Sequence, residues 1–209
     1  MSSLQQTVQN PWVNYLVYGK RLFFKEQSII FNQGVLGEGF YYIEKGLVKI
    51  LSKTANNTDR ILNVAGHGQL IGEQVIDDLP YFSTAVCHKD SIVYFFSKQD
   101  YRKMIQHHPE VITLLAQSLI QKEKLLLNNI NITHSDTEFQ IAHFLISLTN
   151  ASRTKIVDLT QQELSHYVGL TRITIYKVFK RWTKEGIIFL QNRKIHILDY
   201  DALKSKLSA

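Results

Sequence analysis

The sequence predicts an α+β chain: a β-rich N-terminal half, one long helix, and a small helical domain closed by a β-hairpin. Three observations carry that expectation. Short runs of β-branched and aromatic residues, broken by glycines, fill residues 20–98. At Pro109 the apolar spacing changes to the three-and-four rhythm of a helix. Beyond a polar break near residue 131, two short helical patterns meet at a single glycine and a hairpin pattern follows.

In the first half, "RLFFKEQSIIF", "GFYYIEKGLVKILSK", "DRILNVA" and "TAVCHKDSIVYFFS" read as strands, with Gly34, Gly37, Gly39, Gly46, Gly66, Gly68 and Gly72 at the turns. Many short strands with frequent turns predict a small barrel or roll, expected over residues 1–108. "PEVITLLAQSLIQKEKLLLNNI" follows as one helix, expected over 109–133, with Pro109 suited to its first turn. Ile112, Leu115, Leu119, Lys122, Leu126 and Asn129 repeat like a coiled-coil seam. We assign that seam to a homodimer, with Lys122 and Asn129 setting register. Leu114, Leu125 and Leu127 are then left to pack on the parent domain. A hinge is expected at 131–135, and Ser135 with Glu138 resembles a capping box opening a last domain over 134–209.

That domain contains "LTQQELSHYVGLTRITIYKVFKRW", Leu159 to Trp182. Thr160 and Glu163 form a capping box, Leu164, Tyr167 and Val168 make an inner face, and Gly169 supplies the turn. Thr171 can cap the second helix, whose Ile175, Val178, Phe179 and Trp182 must face inward. Arg172, Ile173, Thr174, Tyr176 and Lys177 remain at its exposed start. This is a helix-turn-helix pattern, with the small Ser165 where the helices cross. "IIFL" and "IHIL" then predict a hairpin, a wing with Arg193 and Lys194 at its tip.

The charge agrees. Net charge is +6, and residues 171–194 alone carry Arg172, Lys177, Lys180, Arg181, Lys184, Arg193 and Lys194 against Glu185. A concentrated basic patch is the footprint of a polyanion, here double-stranded DNA. The expected DNA-contacting set is Thr160, Thr171, Arg172, Ile173, Thr174, Tyr176, Lys177, Arg181, Arg193 and Lys194.

Other classes lack their residues. No window is long and apolar enough for a membrane helix, and "MSSLQQTVQNPW" lacks the basic and apolar regions of a signal peptide. A cytoplasmic protein with no membrane partner is the expectation. The single cysteine, Cys87, permits no disulfide within the chain and no cysteine-bound cluster. Neither a clustered metal-ligand set nor a catalytic triad or phosphate loop is visible, so no enzyme, metal or cofactor is expected. His67, His88, His107 and His108 read as loop or helix-surface residues, and Cys87 as a buried strand residue or, alternatively, a redox switch.

The order of roll, long helix, hinge and winged helix-turn-helix resembles the Crp/Fnr family of bacterial transcription regulators over nearly the whole chain. "GEGFYYIEKGLVKI", "GQLIGEQ" and "STAVCHKDSIVYFFSKQDYRKMIQHHPEV" carry the resemblance with the helix-turn-helix stretch. It implies a cyclic-nucleotide-binding-type β-roll, a homodimer, an effector in the roll, and activation through RNA polymerase. Members that bind cyclic AMP carry Gly-Glu and then Arg-Ser/Thr-Ala. Gly72-Glu73 stands here, but the second motif reads Ser83-Thr84-Ala85. Serine cannot supply the forked cation a buried phosphodiester needs. Lack of that arginine, together with Ile173 where most members have glutamate, resembles the branch of halophenol-responsive activators of reductive dehalogenation. The resemblance implies an aromatic or phenolic effector near Glu73, Phe82, Ser83, Thr84, Lys122 and Lys124. A cyclic-nucleotide-responsive or effector-independent regulator is the alternative.

Overall fold

The computed structural model describes residues 10–53, 59–132, 136–152 and 154–207. Two four-stranded antiparallel sheets form the roll. One has the order β1 (Lys20–Phe24), β8 (Ser91–Ser97), β3 (Gly39–Lys45), β6 (Leu70–Ile71). The other runs β2 (Ile29–Phe31), β7 (Thr84–Cys87), β4 (Val48–Lys53), β5 (Asp59–Ala65). Alternation along the strands sends Ile43, Val48, Ala85, Cys87 and Val93 into the space between the sheets, all at most 1% exposed. Gly39 is required by packing: a Cβ there would lie 2.0 Å from the Phe96 carbonyl oxygen.

A 3-10 helix, Pro11–Tyr18, closes one end of the roll by setting Trp12 against Phe40 and Phe96. Helix α1 (Lys98–His107) follows β8, started by a capping box between Ser97 and Asp100. Helix α2 (Glu110–Ile132) then runs along the roll. Its inward stripe is Val111, Leu115, Ser118, Lys122 and Leu125. Val111 and Leu115 join the Trp12–Phe40–Phe96 cluster, and Ser118 and Lys122 reach the buried Glu73.

This placement corrects the seam. Leu115 is 8% exposed and Lys122 is paired to the roll, so both turn towards the roll and not with the rest of the expected seam. The outward stripe is Ile112, Leu119, Ile120, Leu126 and Leu127, each about half exposed. Leu114 and Leu125 pack inward as expected, whereas Leu127 faces out. Both stripes have nearly the same spacing in sequence. Val111 and Leu115 in the Trp12–Phe40–Phe96 cluster, together with Lys122 on the Glu73 carboxylate, turn one of them inward. The Asn129 side chain and the Ser135 cap lie outside the described residues.

The C-terminal domain comprises α3 (Thr137–Ser152), β9 (Ile156–Val157), α4 (Gln161–Val168), α5 (Arg172–Lys184), the hairpin β10 (Ile188–Gln191) and β11 (Lys194–Ile197), and α6 (Tyr200–Ser205). β9 pairs with β11, giving a three-stranded sheet. Ile141, Leu145, Leu164, Ile175, Phe179 and Trp182 are fully buried at its centre.

That core does not end at the domain boundary. Leu47, Ile61 and Val64 of the roll belong to it. Lys49 on β4, 7% exposed, reaches across to Glu163 of α4 at 2.5 Å, and Lys89 lies 3.9 Å from Asp158. His88, expected at the surface, is half buried at this junction, with burial and the Lys49 charge holding its pKa down. Burial pushes the Glu163 carboxyl up, but hydrogen bonds from Lys49 and Thr160 outweigh it and the pKa is lowered.

Because the folded value lies below the ordinary 4.5, the charge contribution is full above that pH and is lost as the pH falls through the lowered value. Glu163→Gln keeps a capping-box acceptor and removes only the charge. The variant should melt below the native protein at pH 7, and the gap should close towards about pH 3. A gap in thermal midpoint that is constant across that range rules the charge contribution out.

Candidate functional site

The helix-turn-helix is built from local rules. Thr160 Oγ1 accepts from the Glu163 N–H at 3.2 Å while Glu163 Oε2 accepts from the Thr160 N–H at 2.9 Å, closing both ends of the box. Gly169 ends α4 at φ +72°. A Cβ there would touch nothing within 4 Å, so the glycine answers to backbone conformation and not to space. Thr171 caps α5, accepting from the Thr174 N–H at 3.2 Å, and its hydroxyl also bonds that of Thr174 at 2.8 Å. With Ile175, Val178, Phe179 and Trp182 buried, Ile173 stands 68% exposed and Tyr176 55%, flanked by the exposed Arg172 and Lys177.

The wing turns at Asn192-Arg193, both left-handed (φ 50° and 63°), the geometry that closes a two-residue hairpin. Between it and the starts of α4 and α5 lies a groove of about 450 Å³, lined among others by Thr160, Gln161, Gln162, Arg172, Arg193 and Lys194. Sequence reasoning missed Gln161 and Gln162. Their signal was position: they are the first residues after a capped N-terminus, where free backbone N–H groups attract anions.

The predicted bases divide into two groups. Arg181 is turned back into an ion pair with Glu138 of α3, an acid shared with Lys206 and with the Trp182 indole N–H. Lys194 is strand-paired with Gln191 and lies 3.3 Å from Asp158. The Thr160 hydroxyl is spent on Glu163. Arg172, Lys177, Lys180, Lys184 and Arg193 have no ion-pair partner among the described residues and are exposed.

A second site lies between the roll and α2. A cavity of about 120 Å³ is walled by Phe31, Ile50, Leu62, Ala65, Leu70, Ile71, Phe82, Leu125 and Leu126, with Asn63, Gln69, Gln74, Ser83 and Lys122 as polar members. Glu73 stands behind the wall, its side chain 1% exposed; it accepts from Ser118 Oγ at 2.8 Å and pairs with Lys122. Phe82, Ser83 and Lys122 thus meet as expected. Thr84 and Lys124 do not: the Thr84 hydroxyl accepts from the Gln33 N–H at 2.9 Å, and Lys124 faces solvent. Alternation along β7 explains the first, and the rotation of α2 the second. Cys87 is fully buried and burial raises its thiol pKa, which leaves little thiolate for a redox switch.

Two protein families match the chain. Residues 21–108 match the cyclic nucleotide-binding domain and residues 140–206 the Crp-like helix-turn-helix domain. Among curated proteins, the Cyclic AMP receptor protein of Thermus thermophilus is 24% identical over 177 residues, 84% of this chain and 82% of that one. A solved CRP/FNR-family transcriptional regulator from Thermus thermophilus superposes at TM-score 0.79 with 23% identity, covering 91% of this chain and 99% of the other. The OCPA complex of CprK gives 0.67 with 17% identity, over 94% and 93%. The fold is therefore shared with both of these proteins, and the likeness does not single out the halophenol branch.

Gly169→Ala should destabilise the protein by about 1–2 kcal/mol, because alanine is strained in the left-handed region. Gly169→Asn, though larger, should cost less, since asparagine tolerates that conformation and the space is open. Urea unfolding that ranks the two by size instead would show that packing sets this turn.

Proposed function

We propose that the chain is a DNA-binding transcription regulator of the Crp/Fnr family, and within it a homodimeric, effector-controlled activator reading an AT-rich palindrome; the cyclic nucleotide-binding match over residues 21–108 and the Crp-like helix-turn-helix match over residues 140–206 support the family reading. The observation that carries the reading is the start of α5: a capped, basic helix end that presents an apolar residue, Ile173, 68% exposed. Such an end enters a major groove with its first residues foremost. A carboxylate at this position would accept from a cytosine amino group; isoleucine cannot, and leaving that group unpaired costs about 1–3 kcal/mol. Isoleucine packs instead on a thymine methyl. The operator is then an inverted repeat resembling TTAAT, a short spacer and ATTAA. Arg172 and Arg193, on either side of the groove at the head of α4, serve the phosphates on which register depends.

Two-fold operators need a two-fold protein. The outward stripe Ile112, Leu119, Ile120, Leu126 and Leu127 supports a second copy of α2 as its cover, which sets the two recognition helices about one turn of DNA apart. Acting as an activator in the cytoplasm, the dimer works with RNA polymerase.

The effector belongs in the cavity beside α2. An aromatic or phenolic compound suits its walls better than a cyclic nucleotide. Its volume falls well below the ~300–1,000 Å³ of sites for drug-sized ligands. Ser83 replaces the phosphate-binding arginine, and Glu73 is already committed to Ser118 and Lys122. The relative named for cyclic AMP supports the opposite reading. Calorimetry with cyclic AMP at physiological salt decides between them: micromolar binding sinks the proposal on this point.

Selection from random DNA should return A·T pairs at the third half-site position, and Ile173→Glu should move that position to G·C. Arg193→Ala should weaken all sequences alike and flatten the salt dependence. Recovery of G·C with the native protein rules out the isoleucine readout. Leu119→Asp with Leu126→Asp should give folded monomers in sedimentation that lose specific binding; an unchanged dimer would remove the stripe from the interface.

A further inference from the structure

The groove at the head of α4 has acids beside its bases. Arg172, Arg193 and Lys194 line it, and two carboxylates each stand one contact behind a lining residue. Glu163 accepts from the Thr160 N–H at 2.9 Å and from the Thr160 hydroxyl at 3.0 Å, and Asp158 lies 3.3 Å from Lys194. Both carboxylates also meet a lysine of the roll. Lys49 on β4, 7% exposed, reaches the other Glu163 oxygen at 2.5 Å. Lys89, between β7 and β8, lies 3.9 Å from the Asp158 oxygen that Lys194 approaches. Within the C-terminal domain the groove therefore counts three bases against two acids, and the roll raises this to five against two.

We infer that the roll sets the strength of DNA binding without touching DNA: Lys49, and Lys89 to a smaller degree, neutralise acids that otherwise repel the phosphates at the head of α4. The inference rests on the DNA reading given above and adds two residues of the other domain to it. Glu163 has a task that keeps it in place, since its carboxylate completes the capping box of α4. The helix start that offers its N–H groups to a phosphate thus carries a fixed negative charge beside them. A cation from outside the domain resolves that conflict. Lysine is rarely buried to this extent unless it is paired, and Glu163 is the partner. Shielded from water, the Lys49–Glu163 pair is screened little by salt. The Lys89–Asp158 pair is more than a third exposed on both sides, so its share is smaller. The domain docked on the roll is the form that binds duplex DNA more tightly, because undocking bares both carboxylates to the phosphates.

The test uses the whole protein and a short duplex of mixed sequence, with binding followed by fluorescence anisotropy and the folding of each variant by its melting curve. Lys49→Met should weaken binding roughly fivefold at low salt and less at high salt. Glu163→Gln alone should tighten it by a similar factor, and the double variant should return to the native affinity. Lys53→Met removes the same charge from an exposed position on the same strand, with no ion-pair partner among the described residues, and should change binding by less than about twofold. The opposite signs of the two single variants separate a charge effect from a latch. A pair that only held the domains together would make both single variants weaker and the double variant no better. That pattern, or native affinity in Lys49→Met, overturns the inference and leaves the DNA reading standing. If Lys49→Met does not fold, the exposed pair carries the test: Lys89→Met should lose about twofold and Asp158→Asn restore it, and no loss overturns the inference. A native protein that binds no duplex even at low salt removes the inference and the DNA reading together.

Discussion

A carboxylate with 1% of its side chain exposed must be paired, and the pairing of Glu73 with Lys122 is the constraint from which the arrangement of the long helix follows. Breaking such a pair on one side costs about 3–5 kcal/mol, because the remaining charge stays buried. The 3-10 segment that begins at Glu73 follows Gly72 in the left-handed region, so the backbone itself aims the carboxylate at α2. Lys122 and Ser118, one turn apart on that helix, then fix its rotation about its own axis. Once the rotation is fixed, Val111, Leu115 and Leu125 must face the roll. Ile112 and Leu119 must face away, Leu125 forms one side of the cavity, and Leu126, 55% exposed, lies at its outer edge. One ion pair thus orders the core, the outward stripe and the ligand wall together.

The opposite wall is shared in a different way. On β4 and β5, Ile50 and Leu62 look into the cavity, while Lys49, Ile61 and Val64 look out onto the C-terminal domain. On β4 this is period-two alternation, Lys49 to one side and Ile50 to the other; on β5 the register shift between the partners Asn63 and Ile61 turns both Leu62 and Asn63 to the cavity and leaves Ile61 and Val64 on the other face. What lies there is α4, held by its N-terminal glutamate, with the helix-turn-helix core continuous behind it. The cavity and the DNA-reading elements are therefore separated by the thickness of a single sheet.

Much of this was legible in sequence where local chemistry decides the outcome. Capping boxes, the turn glycine, the apolar face of α5 and the hairpin each depend on neighbours within a few residues, and each pattern has few alternatives. The direction of α2 was not legible. Its two apolar stripes, Val111–Leu115–Leu125 and Ile112–Leu119–Leu126, are nearly equivalent in spacing. The group that distinguishes them, Glu73, lies about fifty residues away in the chain. The same limit hid the junction between domains. Nothing near Lys49 announces that its partner is Glu163, because a lysine in an alternating strand reads as a solvent-facing residue. Arg181 was assigned to DNA for a similar reason: its position on a basic helix is visible in sequence, whereas Glu138, which takes it, belongs to another helix.

Pairing also sharpens the meaning of the basic patch. Charge counted along residues 171–194 treats every lysine and arginine alike, but the fold withdraws some from the surface field. Glu138 gathers Arg181 and Lys206, and Asp158 holds Lys194. Arg172, Lys177, Lys180 and Lys184 along α5 and Arg193 at the wing tip keep their charge exposed. The positive field therefore runs along the exposed face of α5, and the partial positive charge of the helix terminus adds to it at the N-terminal end. A uniformly basic helix would bind a polyanion along its whole length and in any register. Ile173, 68% exposed at the capped start of α5, is the apolar feature that breaks this uniformity.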